Sequence, residues 1–300
     1  MLAAGFSGTH VAIVTPMHPG GEIDWDAWSR LVDFHIDNGT DGIVVGGTTG
    51  ESPTITDAEL RELVQRAQQR AAGRVKVIAG AGTNSTAATV AKVQEMSALG
   101  VDGVLLVTPA YNRPTQEGLF RHYEAAAAAS GVPVILYNVP SRTACDMLPE
   151  TVARLAVLPR VVAIKEAVAS LDRFRALRAA CPPSFEILSG DDASVREAMQ
   201  VGCCGVISVT ANVAPRLMSD MIRAAGRGEQ AEAARIDAKL AGLHEKLFVE
   251  ANPIPVKWAM ARMGLIQGAL RLPLTELSTA YHAVVEAALR QADIPLPATA

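Results

Sequence analysis

Lysine is scarce in this 300-residue sequence, with six in all: Lys76, Lys92, Lys165, Lys239, Lys246 and Lys257. Histidine is equally scarce. None of His10, His18, His35, His122, His244 and His282 falls at the C-terminal end of a strand-like run, and no HxxxH or carboxylate–histidine cluster occurs. Metal-assisted chemistry needs such ligands, so no metal is expected. The four cysteines, Cys145, Cys181, Cys203 and Cys204, form no CxxC pair. They read as small apolar residues in a reducing compartment. No apolar run approaches the length of a membrane span. The charges are interspersed around a formal net of −4, without the basic stripe that tracks phosphates. No basic region, apolar core and cleavage site opens the chain. A cytoplasmic protein with no membrane and no nucleic-acid partner is expected.

What is present is apolar and alternating. Hydrophobic residues make up 49% and charged residues 19%, enough for one large core. Eight short β-rich runs recur: His10–Pro16, Gly42–Gly47, Val75–Ala81, Gly103–Pro109, Pro133–Val139, Val161–Ala167, Phe185–Asp191 and Gly205–Ala211. Most are apolar on both alternating faces, as parallel strands buried on both sides must be. Helical stretches lie between them. Thr56–Ala72 opens on a capping box with Glu59. Thr86–Leu99 stops before Gly100. Thr115 suits a cap, and Pro149 the first position of a helix. The expected class is α/β: a (β/α)8 TIM barrel over residues 1–225, with a C-terminal helical extension over 226–300 packed on it. An open doubly wound sheet would want GxGxxG after the first strand, where TPMHPGG stands instead.

Active sites of such barrels lie at the C-terminal ends of the strands. Lys165 alone among the lysines stands late in an apolar run, VVAIKEA. Lost hydration there disfavours the ammonium and favours a free amine, a nucleophile toward ketones. The bland alternatives are a lysine reaching to the barrel mouth or paired with Glu166. After the second run comes Gly46-Gly47-Thr48-Thr49-Gly50-Glu51, where close backbone approach and two hydroxyls can hold a carboxylate; alone, it is only a turn. Tyr111 and Tyr137 lie at or past strand ends. A phenol there can shuttle protons, or simply be a buried ring with a satisfied hydroxyl. Arg142 follows the fifth run and can bind a carboxylate bidentately, or form a surface ion pair. Gly190-Asp191-Asp192 puts acids where barrels usually bind phosphate, which speaks against a phosphorylated substrate.

Several segments resemble the dihydrodipicolinate synthase family, from VAIVTPM at Val11 to LRLP at Leu270. They are GTTGES, TPAYNRPTQEGL, ILYNVPSRT, IKEA, LSGDDAS, GVISVTANV and LFVEANPIPVKWAM. The resemblance implies an imine between Lys165 and pyruvate. It implies a proton relay of Thr48, Tyr137 and Tyr111, with Tyr111 reaching in from a neighbouring subunit. Thr49 would hold the pyruvate carboxylate, Arg142 the carboxylate of L-aspartate 4-semialdehyde, and Gly190 and Ile207 would line the pocket. No cofactor is implied, and a homotetramer built from tight dimers is. Inhibitable members bind lysine near GTTGES and the helix after the third strand. Ser52 and Asn84 keep that pattern, whereas Asp57, Leu60, Ala88 and Ala110 depart from it, so weak or absent inhibition is expected. Within the same superfamily, N-acetylneuraminate lyases and sugar-acid aldolases share the lysine and tyrosine but generally differ at the loop that carries Arg142. A non-catalytic ligand-binding barrel would lack Lys165 or the tyrosines.

Overall fold

The computed structural model describes residues 5–297. Among them eight strands close a parallel barrel in chain order: β1 (Gly8–Ala12), β2 (Gly42–Val45), β3 (Lys76–Gly80), β4 (Gly103–Val107), β5 (Val134–Asn138), β6 (Val161–Glu166), β7 (Glu186–Ser189) and β8 (Gly205–Ser208). Between them run α1 (Trp25–Asp37), α2 (Asp57–Ala71), α3 (Thr86–Ala98), α4 (Gln116–Ala129), α5 (Pro140–Thr143), α6 (Pro149–Leu155), α7 (Leu171–Ala180) and α8 (Val195–Met199). After β8 come α9 (Pro215–Gly226), α10 (Gln230–Lys246), α11 (Ile254–Arg262) and α12 (His282–Gln291). The architecture is the expected (β/α)8 barrel with helices after its last strand. Residues 1–4 and 298–300, the ends of the two spans read from the sequence, lie outside the described residues.

By packing, the chain falls into two compact units. One holds Lys76–Ile207 with the N-terminal stretch up to Gly8. The other holds Thr9–Val75 with the chain from Ser208 onward.

Strand composition follows from burial on both faces. Val104, Leu106, Ile135, Leu136, Ile164 and Ile187 are all fully buried, each worth roughly 1.5–3 kcal/mol. Helix starts follow their caps. Thr56 Oγ1 accepts from the Glu59 N–H at 3.2 Å while Glu59 accepts from the Thr56 N–H at 2.9 Å, closing the capping box. Thr115 Oγ1 accepts from Gly118, and Pro149 opens α6. Gly205 is required by close approach, because a Cβ there would lie 2.2 Å from the Gly8 carbonyl oxygen.

Each strand ends before its apolar run does, and the first and the last fall furthest short. The apolar run His10–Pro16 leaves the sheet after Ala12, although Ile13–Met17 stay buried. There the Val14 N–H turns to Asn212 Oδ1 at 3.1 Å, and Met17 forms an isolated antiparallel bridge with Ile23. The run Gly205–Ala211 likewise ends at Ser208, because Thr210–Asn212 tighten into a 3₁₀ turn. The Asn212 amide, donating to the carbonyls of Ala12 and Val209, does the work that strand pairing was expected to do.

Candidate active site

In the first unit, β5 and β6 pair with Tyr137 opposite Lys165 and Asn138 opposite Glu166. Side chains alternate across a strand, so the two pairs face opposite ways. Lys165 is 5% exposed, and its Nζ stands 4.4 Å from the centroid of the buried Tyr137 ring. No carboxylate lies within ion-pair distance of it among the described residues. The pairing of Lys165 with Glu166 is therefore excluded by strand geometry. Gly190 begins the turn after β7, and a Cβ there would lie 2.9 Å from Lys165 Cε. Any other residue would push the amine aside. The Gly190 N–H donates to the Glu166 carbonyl at 2.7 Å. Ile207 is fully buried on β8.

Behind Lys165 is a polar cluster that the sequence reading did not single out. The buried Glu166 carboxylate accepts from Asn138 Nδ2 at 3.1 and 3.2 Å and from the Val168 N–H at 2.8 Å. Burial pushes its carboxyl up to about 7, against the pull of these bonds. Asn138 also donates to Asp146 and accepts from the Met147 N–H, and Asp146 is ion-paired to Arg173 on α7. Its signals in the sequence were the ILYNVPSRT and IKEA segments, which hold Asn138 and Glu166.

Past β4 the loop carries two non-glycine residues in the left-handed region, Tyr111 (φ 74°) and Arg113 (φ 49°). Tyr111 is 92% exposed, an unusual state for an aromatic ring. The Asn112 amide ties this loop to the Asn84 carbonyl at 2.6 Å. Ala110 is half-buried, and Ala88 is exposed in the first turn of α3. Arg142 sits exposed on α5, whose N–H groups return to Val139. Asp191, one of the two acids after β7, is engaged in the turn leading to α8, where it accepts from the N–H and hydroxyl of Ser194.

In the second unit, the turn after β2 is closed by Gly50 and Ser52 N–H groups on the Gly47 carbonyl. Thr48 is half-buried there and Thr49 buried. Thr49 Oγ1 accepts from Asn252 Nδ2 at 3.0 Å. Glu51, buried and at φ 59°, accepts from Lys257 Nζ at 2.5 Å and from the Arg271 N–H at 3.1 Å. Lys257 also donates to the Thr15 carbonyl, so this fully buried amine is occupied twice over. Burial pushes it below its ordinary range, and the Glu51 carboxylate opposes that shift. Ser52 and Asp57 are exposed, whereas Leu60 is buried, with its Cδ1 occupying the space a Gly46 Cβ would take.

Two features of chemistry are absent among the described residues. No group of three His, Cys, Asp or Glu could hold a metal ion, and no helix is long and apolar enough to cross a membrane.

A (β/α)8 barrel with a buried, uncommitted lysine beside a tyrosine at the strand ends is the frame of the lysine-dependent, class I aldolase-type lyases. The chain belongs to the dihydrodipicolinate synthetase family, whose model matches residues 5–292. It is 53% identical over 287 residues to the 4-hydroxy-tetrahydrodipicolinate synthase of Methylococcus capsulatus, covering 96% of this chain and 99% of the relative. Its structure superposes on dihydrodipicolinate synthase from Acinetobacter baumannii complexed with pyruvate, with a TM-score of 0.95 and 45% identity over 96% of this chain and 99% of that one. The enzyme from Cyanidioschyzon merolae with lysine bound matches at a TM-score of 0.93 and 39% identity, over 96% of this chain and 98% of that one.

Proposed function

We propose that this chain condenses pyruvate with L-aspartate 4-semialdehyde, the 4-hydroxy-tetrahydrodipicolinate synthase reaction of lysine and diaminopimelate biosynthesis. The observation that carries the reading is Lys165: buried, beside the Tyr137 ring, with no ion-pair partner and with Gly190 leaving room at its Cε. In this reading Lys165 Nζ attacks the ketone carbon of pyruvate and water leaves, giving the imine. Loss of a methyl proton gives the enamine, whose carbon attacks the aldehyde. The amine of the second substrate then displaces Lys165, closing the ring and freeing the enzyme. Tyr137, Thr48 and Tyr111 carry the protons, with Tyr111 acting in a neighbouring subunit's site. Its 92% exposure supports that assignment. Thr49 takes the pyruvate carboxylate, Arg142 that of the aldehyde, and Gly190 and Ile207 line the pocket. The lysine itself supplies the electron sink, so the reaction needs no metal and no organic cofactor. We place the protein in the cytoplasm as a homotetramer, a dimer of dimers, with a degenerate lysine site at Ser52, Asn84, Asp57, Leu60, Ala88 and Ala110. The names of the relatives favour this reaction over the sugar-acid aldolases of the superfamily.

Borohydride reduction in the presence of pyruvate tests the central step. A reduced pyruvyl adduct should appear on the peptide that holds Lys165, and Lys165→Arg should abolish it. An adduct on Lys257, or none, overturns the mechanism. Product formation with L-aspartate 4-semialdehyde, coupled to the next reductase, tests the second substrate.

A further inference from the structure

The turn that carries Thr48 and Thr49 is anchored from the C-terminal helical region, by residues 206 and 220 positions away in sequence. Glu51 stands in a backbone conformation that non-glycine residues rarely adopt, and such a residue persists only where its surroundings over-determine it. Here they do. One carboxylate oxygen accepts from Lys257 Nζ and the other from the Arg271 N–H. Lys257 in turn grips the Thr15 carbonyl, and the Thr15 hydroxyl donates to the Gly50 carbonyl at 2.8 Å. The Arg271 guanidinium donates to the Thr54 carbonyl at 2.6 Å and to Glu59 at 2.5 Å. Gly50, Glu51 and Thr54 are therefore tied, directly or through Thr15, to Lys257 or Arg271. Thr49 is treated differently. Its oxygen accepts from Asn252 Nδ2, and a hydroxyl that accepts one bond can still donate another.

We infer that Lys257, through Glu51, and Arg271, through its N–H on Glu51 and its guanidinium on Thr54, are positioning residues for pyruvate: they hold the turn so that Thr48 and Thr49 present their donors to the substrate carboxylate. This rests on the function proposed above. A buried ion pair is weak evidence of stability, since replacing both partners by uncharged groups of similar size is often neutral. What the pair supplies is geometry. Its loss would be felt as weaker capture of the carboxylate and not as slower imine chemistry at Lys165.

The test measures borohydride trapping rate against pyruvate concentration in the full-length enzyme, for wild type and for Glu51→Gln/Lys257→Met, which removes both charges together. Half-saturation should rise about tenfold, the effect of losing one well-placed charged hydrogen bond, while the maximal trapping rate changes much less. Trapping of acetone, a ketone without a carboxylate, should be unaltered. A folded double variant with wild-type half-saturation for pyruvate overturns the inference, as does an equal loss with both ketones. Should the double variant not fold, Arg271→Gln, which keeps the N–H bond to Glu51 but removes the guanidinium grip on Thr54, replaces it under the same criteria. Failure of wild type to trap pyruvate would instead sink the proposed function, so the two failures are distinguishable.

Discussion

Asn138 and Glu166 are hydrogen-bonded across β5 and β6 on the side opposite to Tyr137 and Lys165, which are their immediate chain neighbours. A slip of one residue by either strand would move both of its side chains in these pairs to the wrong faces. The outer pair thus fixes the register that sets the lysine beside the tyrosine, and Asp146 with Arg173 extends the clamp to α7.

The clamp should make stability pH-dependent. Burial holds the Glu166 carboxyl up at about 7, above its ordinary 4.5. Arg173 lowers it and Asp146 raises it, the charged groups acting on it. Between those values the folded chain keeps a proton that the unfolded chain releases, so stability is full below about pH 4.5 and falls as pH rises through about 7. The total is on the order of 3 kcal/mol. Glu166→Gln lacks this dependence. Its deficit against wild type in urea melts should therefore be larger near pH 5 than near pH 8. A deficit constant across that range would show that Glu166 does not titrate.

Arg142 should matter for the aldehyde more than for pyruvate. It is exposed on α5, beyond the strand that carries Tyr137. Arg142→Ala should leave pyruvate trapping intact and slow condensation by about a hundredfold, the effect of one bidentate carboxylate contact. Equal loss in both assays would mark a structural role.

Tyr111 should tie activity to assembly. Mixed oligomers of Tyr111→Phe and Lys165→Ala subunits should regain part of the activity that each parent lacks, because some sites would combine an intact lysine with an intact tyrosine. No recovery in a verified mixed oligomer rules out a shared site.

Free lysine should inhibit weakly or not at all. In the proposed lysine site Ala88, which is exposed, offers no carboxylate to the ligand ammonium, and Leu60 is committed to packing on Gly46. Losing one charged hydrogen bond costs about 1.5–3 kcal/mol, roughly a tenfold to hundredfold loss of affinity. Asp57, exposed at the start of α2, is the residue that could restore a carboxylate. A lysine titration of the condensation rate settles it: half-inhibition below millimolar lysine contradicts the expectation.

The barrel was legible because its signals are local. Apolar runs name the strands, and Thr56, Thr115 and Pro149 name helix starts within a few residues. Lys165 stood out as the one lysine late in a doubly buried run, where lost hydration favours a free amine. The strand ends at Ala12 and Ser208 were not legible, since Asn212 displaces backbone pairing there through bonds to residues about 200 positions away. Lys257 lies outside the eight strand-like runs, and its amine is occupied by Glu51 and the Thr15 carbonyl. Its tie to Glu51 could not be read from either segment alone, because helical pattern and turn composition carry no information about a partner across the chain.

The anchoring of the Thr48–Thr49 turn also imposes an order in time. Glu51 leaves the ribosome early, yet Lys257 and Arg271 follow only after some 200 further residues. Closing so long a loop is entropically slow compared with the neighbouring strand–helix contacts. The nascent chain can therefore assemble β5 and β6, and with them the Lys165–Tyr137 pair, before the turn after β2 has its anchors. The Lys165–Tyr137 pair needs no residue beyond β6, whereas the grip on the turn waits for Lys257 and Arg271.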